Sequence, residues 1–238
     1  MNRKRMQRLL AAGLSAALAL SLSACGGGAT AAQNDNTTAA PSGESTGAAQ
    51  PADYGNILIA YFTADENTEP DAVSSASVTE IGGEEVGRVR AVADMIAAET
   101  GGELFSIQTS VEYPEDGGAL IDYAAEEQDQ NARPELTTHI ENLDDYDTIF
   151  IGYPNWWADM PMVLYSFFDE YDFAGKTIIP FNVHNGSRFS RTIETIQELE
   201  PEATVIEDGF TVSEHDVAGA QADVASWLEG LGFKFPLT

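Results

Sequence analysis

Two adjacent tryptophans, Trp156 and Trp157, stand in the segment GYPNWWADMP, which follows a run of apolar residues. Chain reversal alone favours Gly, Pro, Asn and Asp, so two indoles at this position need another explanation. Their flat faces suit a flat ligand, because aromatic stacking adds roughly 0.5–1.5 kcal/mol beyond the burial of area. The alternative is that both side chains fill the core under the loop. Pro154 and Asn155 belong to the same candidate binding segment.

A second polar segment, NVHNGSRFSR, follows another apolar run. Short polar side chains and a glycine, through which backbone N–H groups can approach a ring edge, occur together at His184, Asn185, Gly186 and Ser187. His184 has two interpretations: it donates a hydrogen bond to a ligand, or it caps the end of the strand. Tyr153 and His184 are the only candidates for a proton donor, and no side chain is predicted to be catalytic.

Buried strands must position these two segments. Three continuous apolar runs, Asn56 to Phe62, Asp147 to Tyr153 and Lys176 to Val183, are rich in Ile and Phe. Such runs are typical of strands that are covered on both faces of a parallel sheet. Two weaker strand candidates are Glu103 to Thr109 and Ala203 to Val212.

Helical patterns separate these strand candidates. The predicted helices are Val89 to Ile96 with a stop at Gly101-Gly102, Ala119 to Gln130, Pro161 to Tyr171, Ser190 to Leu199, and Val217 to Leu231, before which Ser213 and Asp216 resemble a capping box. Strand and helix alternate five times, which predicts an α/β fold with a doubly wound, five-stranded parallel sheet. Ligands bind such sheets beyond the carboxyl ends of the strands, where the strand order reverses.

The first 52 residues are not predicted to belong to the fold. Residues 1–24 have a basic start and an apolar stretch too short to span a bilayer, as in a secretory signal peptide. LSAC, which ends at Cys25, resembles a bacterial lipobox with Cys25 as the lipidation site; the alternative is an ordinary signal with a chance cysteine. Residues 25–52 predict a disordered tether, because they can bury little apolar surface. The predicted folded domain is residues 53–238, lipid-anchored outside the cytoplasm of a bacterium.

Charge and cysteine content exclude several classes of partner and site. The chain has 11 Lys and Arg against 39 Asp and Glu, a formal net charge of −28, which repels nucleic acid and anionic lipid head groups. Either this surface is simply solvated, or its acidity guides a basic redox partner. One cysteine excludes an intramolecular disulfide, and the three histidines have no ligand spacing, so no metal site is predicted.

The motifs ILIAYF, YDTIFIGYPNWWADMPM and YDFAGKTIIPFNVHNGS together resemble the flavodoxin family, and most closely its bacterial branch with a Gly-Tyr-Pro-x-Trp-Trp loop. The resemblance covers about Asn56 to Leu231. It implies the strand order 2-1-3-4-5 and an FMN at the carboxyl edge of the sheet, with the phosphate in the first loop. Pro154 to Trp157 would line one side of the flavin ring, and His184 to Ser187 the other.

The first loop departs from the family pattern Ser/Thr-x-Thr-Gly-Asn-Thr. In the aligned TADENT, Asp65 and Glu66 replace Thr and Gly, and two carboxylates repel a phosphate unless they point into water. About twenty further residues intervene before the helix. We predict an insertion that splits the phosphate site, with the strand and the helix N-terminus contributing Thr63, Ala64, Gly87, Arg88 and Val89. Arg88 either binds the phosphate or forms a surface ion pair with Glu84 or Glu85.

Three functional hypotheses follow from the sequence. The first is a membrane-tethered flavoprotein that passes electrons from a reductase to an acceptor, with the chemistry supplied by its cofactor. The second is an NAD(P)H-dependent quinone or small-molecule reductase, which the absence of a Gly-x-Gly-x-x-Gly motif disfavours. The third is a binding module that kept the fold and lost FMN through the altered first loop.

Overall fold

The computed structural model describes residues 54–68 and 78–233. The predicted signal peptide, Cys25 and the tether lie outside these residues. Within the described ranges, no helix has both the length and the apolar character that crossing a bilayer demands.

A parallel sheet with helices on both faces forms the framework. The described elements are, in chain order, β1 (Ile57–Tyr61), β2 (Val78–Ile81), β3 (Glu84–Gly87), α1 (Arg88–Thr100), β4 (Glu103–Ser106), α2 (Gly117–Asp129), β5 (Thr148–Pro154), α3 (Met162–Glu170), β6 (Thr177–His184), α4 (Thr192–Leu199), β7 (Thr204–Val205), β8 (Phe210–Ser213) and α5 (Gln221–Leu231). The main sheet has the order β4-β1-β5-β6-β7, and β8 also pairs with β6. All of these pairs are parallel. The predicted fold class and the order 2-1-3-4-5 are confirmed, with β7 and β8 together as the fifth strand.

The three apolar runs are the central strands, β1, β5 and β6, within one residue at each end. Every residue of β5 is buried, as are all but the first of β1 and β6. The sheet separates two core layers. Leu58 and Ala60 of β1 face the layer that holds α2, α3 and α4, whereas Ile59 and Tyr61 face the layer that holds α1 and α5. Successive side chains of a strand point to opposite faces of the sheet, which explains this division.

The fifth strand is interrupted, and this differs from the predicted continuous strand. Thr204–Val205 pairs with the start of β6, and Phe210–Ser213 pairs with its end. The interruption lies opposite Ile179 and Pro180 of β6, and Pro180 has no N–H group to donate to a neighbour. The fifth strand is therefore interrupted next to Pro180, where β6 lacks one backbone hydrogen-bond donor.

The last helix begins later than predicted. Ser213 is the final residue of β8 and pairs with His184, so it cannot cap a helix. A short 3-10 turn, Val217–Gly219, follows, and α5 starts at Gln221 without a side-chain cap. The predicted capping box was wrong.

The long segment between β1 and α1 is not simply a loop. β2 and β3 form an antiparallel hairpin in which Val78 pairs with Gly87 and Ile81 with Glu84. Gly82 and Gly83 make its turn with φ values of 65° and 91°, which is the left-handed conformation that two-residue hairpin turns require. The hairpin runs directly into α1, so Gly87 is both its last residue and the N-cap of the helix.

The two ends of the described domain lie against each other. The rings of Tyr54 and Phe233 stack with their centroids 4.0 Å apart and 3° between their planes. The Tyr54 hydroxyl donates to the Leu231 carbonyl at 2.8 Å, and the Tyr54 carbonyl accepts from the Thr148 hydroxyl at 2.7 Å. Both ends therefore lie at the amino end of β1 and β5.

Candidate functional site

The candidate site lies where β1, β5 and β6 end side by side. The Phe62 amide donates to the Gly152 carbonyl at 2.9 Å, and the Asn155 amide donates to the Val183 carbonyl at 2.8 Å. Because β4 lies on one side of β1 and β5 on the other, the strand order reverses here. Such a switch point opens a crevice between the loops after β1 and β5, as the sequence predicted.

The structure separates the two tryptophans. Trp156 is 9% exposed and packs edge-to-face on Phe62 and Tyr113, with centroids 5.7 Å and 5.5 Å away. Trp157 is 54% exposed, and its Nε1 donates to the Ile121 carbonyl at 2.8 Å. Trp156 therefore fills the core, and of the two only Trp157 presents a ring to a ligand.

A strained turn holds the Trp157 indole outward. Trp157 and Ala158 have φ values of 51° and 62°, and left-handed backbone costs a non-glycine residue roughly 1–2 kcal/mol. Trp156 and Asp159 exchange backbone hydrogen bonds of 2.9 Å and 3.0 Å across this turn. The Asp159 carboxylate in turn accepts from the Tyr165 hydroxyl at 2.8 Å. Strain of this kind clusters at functional sites.

Two side-chain amides join the loop after β5 to the loop after β6. The Nδ2 groups of Asn155 and Asn182 each donate to the Arg188 carbonyl at 2.8 Å. The Thr211 hydroxyl donates to Asn182 Oδ1 at 2.6 Å, which fixes the orientation of that amide. Asn155 Oδ1 is buried and has no hydrogen-bond partner among the described residues. A ligand N–H could supply that partner.

His184 is buried and neutral. Its Nδ1 accepts a hydrogen bond from the Gly186 amide at 2.9 Å, which leaves the proton of a neutral ring on Nε2. Burial, with the Arg188 charge as the second cause, lowers the pKa of His184. His184 thus caps its own loop and keeps one donor nitrogen. Asn185, Gly186 and Ser187 are exposed.

Tyr153 does not belong to this surface. It is fully buried in the core, and its hydroxyl donates to Thr192 Oγ1 at 2.7 Å. Burial raises the pKa of Tyr153. The hypothesis that Tyr153 donates a proton to a ligand was therefore wrong. We call Asn155, Trp157 and the segment His184 to Ser187 the ring end of the site, while Pro154 is the buried last residue of β5.

The phosphate end of the site comprises Thr63, Asp65, Gly87 and Arg88. The buried Thr63 hydroxyl donates to Asp65 Oδ1. A Cβ added at Gly87 would come within 2.6 Å of Thr63 Oγ1 and would also collide with the Asp65 carboxylate. The structure therefore brings the strand side and the helix side of the predicted split site together, and it places a carboxylate with them.

Asp65 is partly buried, and its carboxylate points into this site. Burial raises the pKa of Asp65, and hydrogen bonding from the Thr63 hydroxyl and from the backbone amides of Asp65 and Gly87 acts in the opposite direction. Those bonds stabilise the ionised form. The sequence carried no signal for this contact, because about twenty residues separate Asp65 from Gly87.

Glu66 points away from the phosphate end. Its carboxylate accepts from the Tyr61 hydroxyl at 2.9 Å and from Arg90 at 3.1 Å, and also from the Ser106 hydroxyl. Of the two acidic residues in TADENT, only Asp65 therefore competes with an anion at the helix N-terminus.

Arg88 begins α1 and lies 3.7 Å from Glu214, whose side chain is 4% exposed. The Glu214 amide donates to the His184 carbonyl at 2.9 Å, so this pair joins α1 to the end of β6. Glu84 and Glu85, the partners considered from the sequence, are exposed on β3. Ala64 and Val89 are fully buried, and only their backbone could serve a ligand.

The residues of the ring end suit a flavin ring, because they combine an exposed indole, a buried acceptor without a described partner and an exposed polar loop. The phosphate end can bind a phosphate only if the Asp65 carboxylate gives up its place, since that carboxylate already accepts from the Gly87 amide. Within the described ranges, no three His, Cys, Asp or Glu side chains form a group that could hold a metal ion.

Comparisons with known proteins agree with this geometry. The family model for flavodoxin matches residues 82–231. A protein assigned as a flavoprotein from Bacteroides eggerthii is 24% identical, with a TM-score of 0.57, over 75% of this chain and 99% of that chain. A flavoprotein from Lactobacillus acidophilus, crystallised with FMN, is 19% identical, with a TM-score of 0.51, over 73% of this chain and 98% of that chain. These solved structures share the fold. No curated protein matches this chain.

Proposed function

This chain belongs to the flavodoxin family, and from that premise we propose that it binds FMN at the carboxyl edge of its sheet and carries electrons. The observation that carries the proposal is the ring end, where Trp157 exposes 54% of its surface on a turn held in a strained conformation. A buried Asn155 oxygen without a described partner supports it.

Each part of the site has a role in this proposal. Trp157 stacks on the flavin ring, and Asn155 Oδ1 accepts a hydrogen bond from its edge. The amides of Asn185 and Ser187 would serve the opposite side of the ring, since the Gly186 amide already donates to His184. The phosphate would lie near Gly87 and Arg88 at the N-terminus of α1, where it meets the Asp65 carboxylate. A bound flavin supplies the electron-transfer chemistry, and the protein positions it and excludes water.

We favour a carrier over a self-contained enzyme because the site offers few side chains for proton transfer. Tyr153 is buried in the core, and one nitrogen of His184 is occupied by the Gly186 amide. The proposed partner is a basic redox protein, since the chain has a formal net charge of −28. The proposed place of action is the outer face of a bacterial membrane, with a lipid on Cys25.

Flavin titration tests the proposal. We expect the purified protein to quench flavin fluorescence, and Trp157→Ala to weaken FMN binding about tenfold or more, since stacking of a planar base on an aromatic side chain contributes about 1–3 kcal/mol. Ile81→Ala is the control, because Ile81 is also an exposed large apolar residue, 36% exposed, but lies on the hairpin. Equal FMN affinity in Trp157→Ala and wild type would contradict the assignment of the ring end.

A second titration distinguishes a carrier from a reductase. Under anaerobic conditions, we expect dithionite to bleach the bound flavin and NADPH alone to leave it oxidised for many minutes. Rapid bleaching by NADPH would favour the quinone or small-molecule reductase.

One observation favours a binding module without flavin, namely the Asp65 carboxylate at the N-terminus of α1. This second candidate predicts that the wild-type protein takes up neither FMN nor riboflavin. Uptake of either flavin would exclude it.

Cell fractionation tests the proposed anchor. We expect wild-type protein in the membrane fraction and Cys25→Ala in the soluble fraction, since only the first carries the acceptor thiol. Ser21→Ala, which leaves Cys25 in place, is the control and should remain with the membranes. A membrane-bound Cys25→Ala protein would contradict the lipid anchor.

A further inference from the structure

The N-terminus of α1 receives its anion from a distant part of the chain. Gly87, the N-cap, has no side chain, and the first turn of α1 has no acidic residue. Exposed amides at such a terminus favour a negative charge. Asp65 supplies that charge from the short 3-10 turn Ala64–Glu66 that follows β1.

Asp65 is held in this position from both sides. On one side, the Thr63 hydroxyl donates to its carboxylate, and Thr63 is 1% exposed. On the other side, Asn67 fixes the turn, because its Nδ2 donates to the Thr63 carbonyl at 3.1 Å and its Oδ1 accepts from the Thr109 amide at 3.0 Å. The carboxylate is therefore part of the folded framework.

A phosphate and the Asp65 carboxylate exclude each other at this terminus. Both require the Gly87 amide and the Thr63 hydroxyl, and two anions at contact distance repel strongly in a partly buried site. Arg88, the first residue of α1, lies 3.7 Å from the buried Glu214 carboxylate and already offsets that charge.

We infer that the Asp65 carboxylate stands in for the cofactor phosphate and sets which flavin the protein prefers. The inference rests on the proposed flavin site. With Asp65 in place, riboflavin, which has the ring and no phosphate, binds at least as tightly as FMN. Without the carboxylate, the phosphate reaches the Gly87 amide, and the preference turns to FMN.

The test measures the dissociation constants of FMN and riboflavin for full-length wild type, Asp65→Asn and Asp65→Ala by fluorescence quenching. Asn keeps an oxygen that accepts from Thr63 and Gly87, and removes the charge. Glu229→Gln, at an exposed position of α5, removes an equal charge far from the helix N-terminus and is the control. Circular dichroism confirms that each variant is folded.

We expect both Asp65 variants to bind FMN about tenfold more tightly than wild type, and riboflavin with an affinity within about twofold of wild type, since tenfold in affinity corresponds to 1.4 kcal/mol of lost repulsion. Glu229→Gln should change neither constant. FMN uptake that appears only in the Asp65 variants also supports the inference.

Two outcomes overturn the inference in different ways. If wild type binds riboflavin and FMN, but the ratio of their affinities is unchanged in Asp65→Asn and Asp65→Ala, the role of Asp65 is wrong and the flavin site stands. If no variant binds either flavin, the proposed function fails together with the inference.

Discussion

At the ring end of the site, Trp157 is half exposed and Asn155 Oδ1 has no hydrogen-bond partner among the described residues. At the phosphate end, the Thr63 hydroxyl is already bonded, and its partner is the carboxylate of Asp65. The ring end therefore has groups that a ligand could contact. At the phosphate end, a carboxylate of the same chain already occupies the position of an anion.

This difference shows how binding surfaces can be recognised without a ligand. Buried polar atoms normally have hydrogen-bond partners. A buried acceptor without a described partner, in the same loop as an exposed indole, therefore indicates that a ligand supplies the missing donor. When a carboxylate of the chain occupies an anion site, a ligand phosphate has to compete with that carboxylate. The family match begins at residue 82, so it covers the ring end together with Gly87 and Arg88, and it leaves out β1 and the TADENT segment.

The largest effect that we predict separates the two tryptophans at the ring end. Trp156→Ala should lower the free energy of unfolding by about 3–5 kcal/mol, because it leaves a cavity beside Phe62 and Tyr113. Trp157→Ala should cost about 1 kcal/mol or less, because its ring is mostly in solvent. Urea denaturation measures both. Similar losses in the two variants would show that Trp157 is also structural.

The next effect concerns the phosphate end. Gly87→Ala should destabilise the fold by about 1–3 kcal/mol, since its Cβ would overlap the Asp65 carboxylate and Thr63 Oγ1. Combining it with Asp65→Ala should recover part of the loss, and a double-mutant cycle measures that coupling. Gly230→Ala in α5 is the control, because nothing lies within 4 Å of its added Cβ. Purely additive losses would place Asp65 away from the helix N-terminus.

A smaller effect tests how the ring end is fixed. Asn155→Ala removes one of the two amides that hold the Arg188 carbonyl, and should cost about 1 kcal/mol of unfolding free energy, because Asn182 still holds that carbonyl. Limited proteolysis of the loop after β6 should also become faster. Asn185→Ala, at an exposed position of the same loop, should behave as wild type. Unchanged proteolysis in Asn155→Ala would show that Asn182 alone positions the loop.

The last effect depends on pH and concerns the support under Trp156. Tyr113 packs on Trp156, and its hydroxyl lies 3.5 Å from Glu127 of α2. Burial raises the pKa of Glu127 from its ordinary value of 4.5 to about 7. Between these values the folded protein binds more protons than the unfolded chain, so the stability from this group is complete below pH 4.5 and is lost as the pH rises through 7.

Glu127→Gln should therefore raise the melting temperature at pH 8 and change it little well below pH 4.5, where the acid is neutral in both states. Thermal unfolding by circular dichroism at several pH values measures this. Glu126→Gln, an exposed neighbour on the same helix, is the control. An equal gain at both pH values would mean that Glu127 does not titrate in this range.

Much of the fold could be predicted because its strands are buried on both faces, and continuous apolar runs such as Thr148–Pro154 record that burial directly. The hairpin was missed, although VTEIGGEEV has a two-glycine turn between two short segments that each contain a β-branched apolar residue. The start of α5 was misplaced because Ser213 is used by the sheet. Pairing between strands decided both cases, within one hairpin for Val78–Gly87 and between distant strands for Ser213–His184.

The site was predicted less completely. The sequence located the loop with Trp156 and Trp157 but could not distinguish the two rings, since Phe62 and Tyr113, which bury one of them, come from other elements. The sequence identified Asp65 as a departure from the family pattern. It could not show where the Asp65 side chain points, because only folding brings Gly87 close to it. Asn182 and Glu214 were missed for the same reason.

The stacked pair Tyr54 and Phe233 has a consequence for rebuilding the chain. Because these two residues touch, a short linker could join them, and new ends could be opened at the Gly82-Gly83 turn. Such a circular permutant would cut the covalent link between Asp65 and Gly87 while keeping the sheet order. Fusion partners joined directly at Tyr54 or Phe233 would leave from the amino edge of β1, the edge opposite the candidate site.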